Sequence, residues 1–106
     1  MRGNWTEEKP RQGKNGERWS FTYWYSPGAG DQAKGAQRLF FWNQDKSECG
    51  VVVLPPGKTM NYSRIKSLME KLVADIVLRK KYRRDLEFPL EHHYPEYGAL
   101  PEEVTT

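Results

Sequence analysis

The sequence predicts an α+β domain in which an antiparallel sheet of three or four strands packs against one long amphipathic helix. Residues 18–25 and 38–42 are rich in aromatic side chains, and residues 50–54 are rich in β-branched ones, as is typical of strands. From Asn61 onward the apolar residues recur every three or four positions, which indicates a helix. At 106 residues the chain has the length of one such domain.

The first strand is predicted at residues 18–26 and carries aromatic side chains on both sides. Neighbouring side chains of a strand point to opposite faces of the sheet. What we call the first face carries Trp19, Phe21, Tyr23 and Tyr25. What we call the second face carries Arg18, Ser20, Thr22 and Trp24. One buried face therefore does not account for all of these aromatic residues.

The second strand is predicted at residues 37–43 and extends both faces. Leu39 and Phe41 continue the first face, whereas Arg38, Phe40 and Trp42 continue the second face. A glycine-rich loop at 26–36 and a polar turn at 43–48 connect the three strands. A parallel pair would need a crossover of about a dozen residues or more, so an antiparallel meander is the economical arrangement.

The predicted helix begins near Asn61 and continues to Arg84, which would make it about 35 Å long. Its apolar residues form one stripe. They are Ile65, Leu68, Met69, Leu72, Val73, Ile76 and Val77. One stripe covers one face of a sheet, and we expect Leu68, Leu72 and Ile76 to pack on the first face.

The two ends of the chain are predicted to lie outside this domain, which would span residues 18–85. Residues 1–17 hold one aromatic residue and are predicted to form a flexible basic arm. Residues 86–106 are predicted to form an extended acidic tail, which docks as far as about Tyr97 because it contains several apolar side chains. Residues 1–84 contain 17 Lys and Arg against 8 Asp and Glu, a net charge of +9, whereas residues 85–106 carry −6.

The second face of the sheet needs a cover, and three alternatives are open at this point. It binds a nucleic acid, it is covered by the acidic tail, or it packs against a second copy of the chain or another protein. Arginine interleaved with aromatic residues can hold phosphates and stack bases, and a basic body attracts polyanions. The candidate nucleic-acid-binding residues are Arg18, Thr22, Trp24, Lys34, Arg38, Phe40 and Trp42 on the sheet and its loop, and Arg79, Lys80, Arg83 and Arg84 at the basic end of the helix.

Other functional classes find little support in the residues. His92 and His93 are adjacent on an extended segment and have no second cluster to complete a metal site. Cys49 has no base near it in the sequence, and the loop at 28–35 lacks the Gly-Lys-Ser/Thr ending of a phosphate loop. We therefore expect no enzyme, no cofactor and no metal. The single cysteine and the absence of a long apolar run predict an intracellular protein, cytoplasmic or nuclear, without a membrane partner.

The order of elements resembles a small DNA-binding domain. The similarity lies in Lys14-Asn15-Gly16-Glu17-Arg18-Trp19, Phe21-Thr22-Tyr23-Trp24-Tyr25, Leu39-Phe40-Phe41-Trp42, and Pro56-Gly57-Lys58 leading into Ser63 to Leu72. In this pattern the chain resembles the domain found at the N-termini of some tyrosine recombinases and in AP2-type plant factors, over about residues 14–78. The resemblance implies a three-stranded sheet and a helix, with the second face entering the major groove of DNA.

These observations lead to two functional expectations of different classes. The leading one is a small, non-enzymatic nucleic-acid-binding module, for DNA rather than RNA, which uses the basic and aromatic second face. The competing one is a protein-interaction subunit, either a homodimer or a component of a larger complex, which uses the second face and the tail.

Overall fold

The computed structural model describes residues 4–26, 35–55 and 58–94. Within these ranges the chain forms an α+β fold with a five-stranded antiparallel sheet and three helices. The strands are β1 (Asn4–Glu7), β2 (Arg11–Gln12), β3 (Arg18–Ser26), β4 (Gly35–Asn43) and β5 (Cys49–Val53). The helices are α1 (Tyr62–Ala74), α2 (Ile76–Lys81) and α3 (Leu90–His93).

The predicted antiparallel arrangement is confirmed, but the sheet has five strands instead of three or four, because β1 and β2 add to it. β3 is its central element. It pairs with β4 through Phe21 opposite Phe41, while β4 pairs with β5 through Trp42 opposite Cys49. The other edge of β3 pairs with both β1 and β2. The register shifts between Tyr23 and Tyr25, which indicates a local irregularity where β3 approaches its end.

The expectation of a flexible arm before residue 18 needs correction, because residues 4–7 and 11–12 are strands. Trp5 lies opposite Trp24, and its ring centroid is 5.4 Å from that of Phe40 on the second face. Thr22 Oγ1 also donates a hydrogen bond to the Thr6 carbonyl at 2.7 Å. The composition of residues 1–17 offers too little apolar surface to predict these strands. Most of the side chains that they pack against belong to other strands.

The β2–β3 hairpin turns at the predicted Asn-Gly signal. Gly16 has φ +82°, a left-handed conformation that glycine adopts without the steric cost of a side chain. The Gly13 amide donates to the Glu17 carbonyl at 2.8 Å and closes the turn. This hairpin brings Gln12 directly opposite Arg18.

The single long helix predicted from Asn61 to Arg84 is wrong, because the helix is interrupted at Asp75. Asp75 is extended, with φ −122° and ψ 104°, and its carboxylate accepts hydrogen bonds from the amides of Val77 and Leu78 at 2.9 and 3.1 Å. It thus starts a new helix, as aspartate at an N-cap commonly does. Ile76 and Val77, predicted to be core residues, are consequently 55% and 72% exposed.

Helix α1 covers the first face and forms the larger of two apolar cores. Asn61 caps its start by accepting from the Arg64 amide at 2.9 Å. The buried residues of this core are Trp19, Phe21, Tyr23, Ala36, Leu39, Phe41, Val52, Met60, Ile65, Met69 and Leu72. The apolar stripe as far as Val73 therefore does what its spacing predicts.

The segment after α2 turns back along β5 and then covers the second face. The Arg84 amide donates to the Cys49 carbonyl at 2.9 Å, and the Val51 amide donates to the Tyr82 carbonyl at 3.1 Å. Residues 86–94 then pack on the sheet in a second core, in which Phe40, Val51, Leu90 and Tyr94 are buried. Of the three covers that the sequence left open for this face, its own tail is the one seen in the structure.

Candidate nucleic-acid interface

The centre of the second face is buried beneath residues 86–94 and the N-terminal strand. Thr22 is 1% exposed, Trp24 is 4% exposed and Phe40 is completely buried. The Phe40 ring lies between Trp5 and Tyr94, with centroid distances of 5.4 and 5.7 Å. In this arrangement none of the three presents a surface on which a base can stack.

Trp42 lies at the margin of the same cover and is half-buried. Its ring meets the edge of Phe88 at a centroid distance of 5.3 Å, and Lys46 Nζ lies 4.9 Å from the centroid of the Phe88 ring. These residues line a cavity of about 400 Å³ together with Glu7, Thr22, Pro89, Leu90 and Glu91. The two carboxylates make this cavity a poor receptor for a polyanion.

Arg18 and Arg38 lie at opposite ends of the second face. Arg18 begins β3, whereas Arg38 pairs with Val53 near the other end of the sheet. Leu39 is opposite Tyr23, so about six residues, or about 20 Å of strand, separate the two arginines. Arg38 is half-buried and donates to the Gln37 side chain at 3.5 Å. The predicted residue Lys34 lies outside the described residues.

Arg79 is buried, with an exposed fraction of 8%, and its guanidinium stabilises the fold. Its Nη1 donates to the carbonyls of Leu72 and Val73 at 2.6 and 2.9 Å, which caps the C-terminus of α1. The guanidinium carbon is 4.4 Å from the centroid of the Trp19 ring, and Nε is 3.4 Å from Glu48 Oε1. A phosphate would have to compete with all of these contacts.

Several of the described cations lie at one end of the sheet, which we call the basic end. The start of β3, the end of β4 and the start of β5 meet there, since Trp19 is opposite Asn43 and Trp42 is opposite Cys49. The β2–β3 hairpin and the end of α2 flank this edge, the latter through the hydrogen bond from Arg84 to Cys49. The basic residues are Arg11, Lys14, Arg18, Lys80, Lys81, Arg83 and the half-buried Arg84.

Four acidic residues lie near the basic end, and three of them are engaged within the chain. Glu48 pairs with Arg79, and Glu17 accepts from the Asn15 amide at 3.2 Å. Asp45 accepts from the Ser47 amide at 3.0 Å, and its hydrogen bonds from the side chain and backbone of Ser47 lower its pKa. The fourth is the exposed Asp85. Among the described residues of this end the cations outnumber the acids, so these residues together carry a net positive charge.

A pocket of about 290 Å³ opens at the basic end and is lined by Pro10, Arg11, Gln12, Gly16, Arg18 and Gln44. No acidic residue from the part of the chain that the structure describes lines it. Among the described residues neither Arg11 nor Arg18 has an ion pair or a side-chain hydrogen bond, and the buried Arg11 Nε has no acceptor. Arg11 is absent from the predicted binding residues because residues 1–17 are predicted to be a flexible arm. The Asn15-Gly16 turn was the signal that could have identified Arg11. If this turn joins two paired strands, Arg11 lies opposite Trp19.

The described part of the chain offers no grouping of three or more His, Cys, Asp or Glu residues suited to a metal ion. In the tail, His93 Nδ1 lies 2.9 Å from Glu87 Oε2. Among the described helices, none has both the length and the apolar character needed to cross a bilayer.

The chain was compared with known proteins by sequence and by structure. A scan against protein-family models gave no match. Searches of curated proteins and of solved structures also gave no match. The geometry of the basic end is therefore what carries the functional argument.

Proposed function

We propose that this chain is a small, non-enzymatic nucleic-acid-binding module whose interface is the basic end of the sheet. The observation that carries the proposal is the pocket holding Arg11 and Arg18, which no acidic residue of the described ranges lines and which lies at the same end as the exposed cations Lys80, Lys81 and Arg83. Cations from two separate elements that converge on one edge can contact successive phosphates of one strand.

The basic end replaces the second face as the proposed contact surface. The resemblance to the recombinase and AP2-type domains would direct DNA to the second face, but residues 86–94 cover its centre. Binding there would require these residues to leave and would expose the Phe40 core. The basic end needs no such rearrangement, and it retains Arg18, Lys80, Arg83 and Arg84 from the predicted set.

Contacts of this kind favour binding through the phosphate backbone. The aromatic residues that could stack on bases, Trp24 and Phe40, are buried, so base stacking contributes little in this conformation. Arginine and lysine contacts to phosphates release counterions, and the affinity then falls as the salt concentration rises. We therefore propose a binding mode with weak dependence on sequence and strong dependence on salt.

The test measures how the affinity for oligonucleotides depends on the salt concentration. Fluorescence anisotropy reports binding, and the ligands are short single-stranded DNA, duplex DNA and RNA. The variant replaces Arg18, Lys80 and Arg83 with Gln. The matched control replaces Lys58, Arg64 and Lys66 with Gln; these residues are also exposed but lie near the other end of the sheet. Each lost phosphate contact reduces the slope of log affinity against log salt by about 0.7 to 0.9.

We expect the basic-end variant to lose about two units of slope or more, and the control to keep most of the slope of the unsubstituted chain. Binding that is insensitive to salt, or equal losses in both variants, would contradict the proposed interface. Absence of binding to every DNA and RNA tested would contradict the function itself.

A second function, a protein-interaction subunit, is favoured by one observation. Ile76 and Val77 are apolar, adjacent and largely exposed at the start of α2. Large apolar side chains exposed together often mark contacts with another protein. Light scattering separates the two proposals, since Val77→Lys would dissociate a dimer formed through this patch and would leave a phosphate-binding basic end intact.

A further inference from the structure

The pocket between the β2–β3 hairpin and Gln44 has an unusual balance of hydrogen-bonding groups. Among the described residues that line it, the two charged ones, Arg11 and Arg18, are both cations, and the two amide side chains come from Gln12 and Gln44. Arginine offers five N–H donors and no acceptor, and each glutamine amide adds two donors and one acceptor oxygen. These side chains present mostly donors and a charge of +2, and no carboxylate of the described residues lines the pocket.

We infer that this pocket binds a terminal phosphate, a phosphomonoester, at the end of a nucleic-acid strand. The inference rests on the proposed function and assigns a specific ligand to one part of the basic end. A phosphomonoester carries a charge of about −1.5 to −2 at neutral pH, which the two guanidinium groups balance. An internal phosphodiester has one negative charge and would leave part of the pocket charge uncompensated.

The geometry of the pocket also favours a terminal group. A phosphomonoester has three terminal oxygens and one ester substituent, so it can enter a concave site end-on while the strand leaves through the opening. An internal phosphate has two substituents, both of which must pass along the site. With about 290 Å³, bounded by Pro10 and the turn residue Gly16, the pocket has space for the phosphate and its first sugar atoms.

Arg11 is the residue that gains most from an anion. Its Nε is buried without an acceptor in the described part of the chain, and a buried polar group without a hydrogen bond is costly. Because Nε itself is closed to solvent, an oxyanion in the pocket meets the guanidinium through its two Nη groups, which have no hydrogen bond or ion pair in the described part of the chain. Arg11 lies opposite Trp19 and Arg18 lies opposite Gln12, so the two arginines are on opposite faces of the hairpin and reach the pocket from its two sides. Arg18 is exposed.

The experiment compares one oligonucleotide in forms with a 5′-phosphate, a 3′-phosphate or hydroxyl groups at both ends, with the fluorophore attached internally. The chain is tested unsubstituted and as Arg11→Gln and Arg18→Gln. Arg64→Gln is the control, since it removes one exposed arginine on α1. Inorganic phosphate is titrated in parallel, and the arginine Nε–H signals are followed by NMR.

We expect a terminal phosphate to strengthen binding by about tenfold, with Arg11→Gln and Arg18→Gln each removing most of that gain while Arg64→Gln preserves it. Of the 5′-phosphate and 3′-phosphate forms, the one with the larger gain in affinity identifies which end of the strand binds in the pocket. Because Arg11 belongs to a short strand, Arg18→Gln keeps the test valid if Arg11→Gln is poorly folded.

Equal affinity for all three forms, with no response of Arg11 or Arg18 to phosphate, would overturn the terminal-phosphate site while leaving a general phosphate-binding interface in place. If no oligonucleotide binds but inorganic phosphate shifts the Arg11 and Arg18 signals and the Gln variants abolish this shift, the anion pocket is upheld and the nucleic-acid function fails. The two proposals therefore fail in distinguishable ways.

Discussion

The two faces of the central sheet are both closed, but by covers of different kinds. The first face packs against α1, a helix whose apolar stripe is periodic. The second face packs against residues 86–94, which contain one short helix and otherwise irregular backbone. Phe41 and Phe40 are neighbours in the chain, lie on opposite faces and are both completely buried.

This difference shows that an aromatic face need not be a binding face. Five of the eight residues from Arg18 to Tyr25 are aromatic, and a helix with a single stripe cannot cover both of their faces. In the structure the second cover comes from the same chain. The contact surface that we propose is instead one end of the sheet, where cations from the hairpin and α2 meet.

The largest expected effect comes from removing an aromatic core residue on either face. Phe41→Ala and Phe40→Ala should each lower the free energy of unfolding by about 3–5 kcal/mol, because each deletes a fully buried ring. Urea denaturation measures both. If Phe40→Ala costs less than about 1 kcal/mol, the tail does not seal the second face in solution, and that face becomes a candidate interface again.

A smaller effect is expected at Arg79, which links α1, α2 and the edge of the first face. Arg79→Gln should lower the free energy of unfolding by about 2–3 kcal/mol, because it removes a charged cap from two α1 carbonyls and the contact with Trp19. Lys80→Gln, the exposed neighbour, should change it by less than about 0.5 kcal/mol. If both variants lower the free energy of unfolding by less than about 0.5 kcal/mol in urea denaturation, Arg79 does not stabilise the fold.

An effect that reaches its full size only at alkaline pH concerns Tyr23 on the first face. Burial, and then the nearby Glu8 carboxylate, raise the pKa of Tyr23 from 10.0 to about 12. A raised pKa in the folded state means that its contribution is complete below pH 10 and is lost as the pH rises from 10 to about 12. This loss should reach about 2–3 kcal/mol at most.

Denaturation of the unsubstituted chain and of Tyr23→Phe at a series of pH values checks this prediction. The variant should lose less stability than the unsubstituted chain between pH 10 and about 12, since its ring has no proton to release. Parallel curves for the two proteins over that window would show that Tyr23 does not contribute to the alkaline loss of stability.

Much of the fold could be predicted because its signals are local. The alternation of Trp19, Phe21 and Tyr23 indicated β3, and the spacing of Ile65, Met69 and Leu72 indicated α1. The break at Asp75 was missed because the apolar period continues through Ile76 and Val77. An aspartate inside a helix and one that caps a new helix look alike when only periodicity is considered.

The candidate site was predicted less completely than the fold. Arg18, Lys80 and Arg83 are exposed at the basic end, but Arg79 in the same run is buried. The charge of Arg79 does not indicate that its guanidinium donates hydrogen bonds to the carbonyls of α1. Arg11 was assigned to a flexible arm because the partners of that segment lie in β3.

Strand alternation, the Asn-Gly turn and the stripe of α1 are properties of neighbouring residues, and the sequence was sufficient to establish the antiparallel α+β architecture from them. Which segment covers the second face, where the helix ends and which arginines stay exposed were decided by contacts between residues far apart in the chain. The physical reason is that Leu90 and Tyr94 gain their burial only against a sheet that other segments have already formed. The local sequence pattern of residues 86–94 therefore does not predict that these residues are buried.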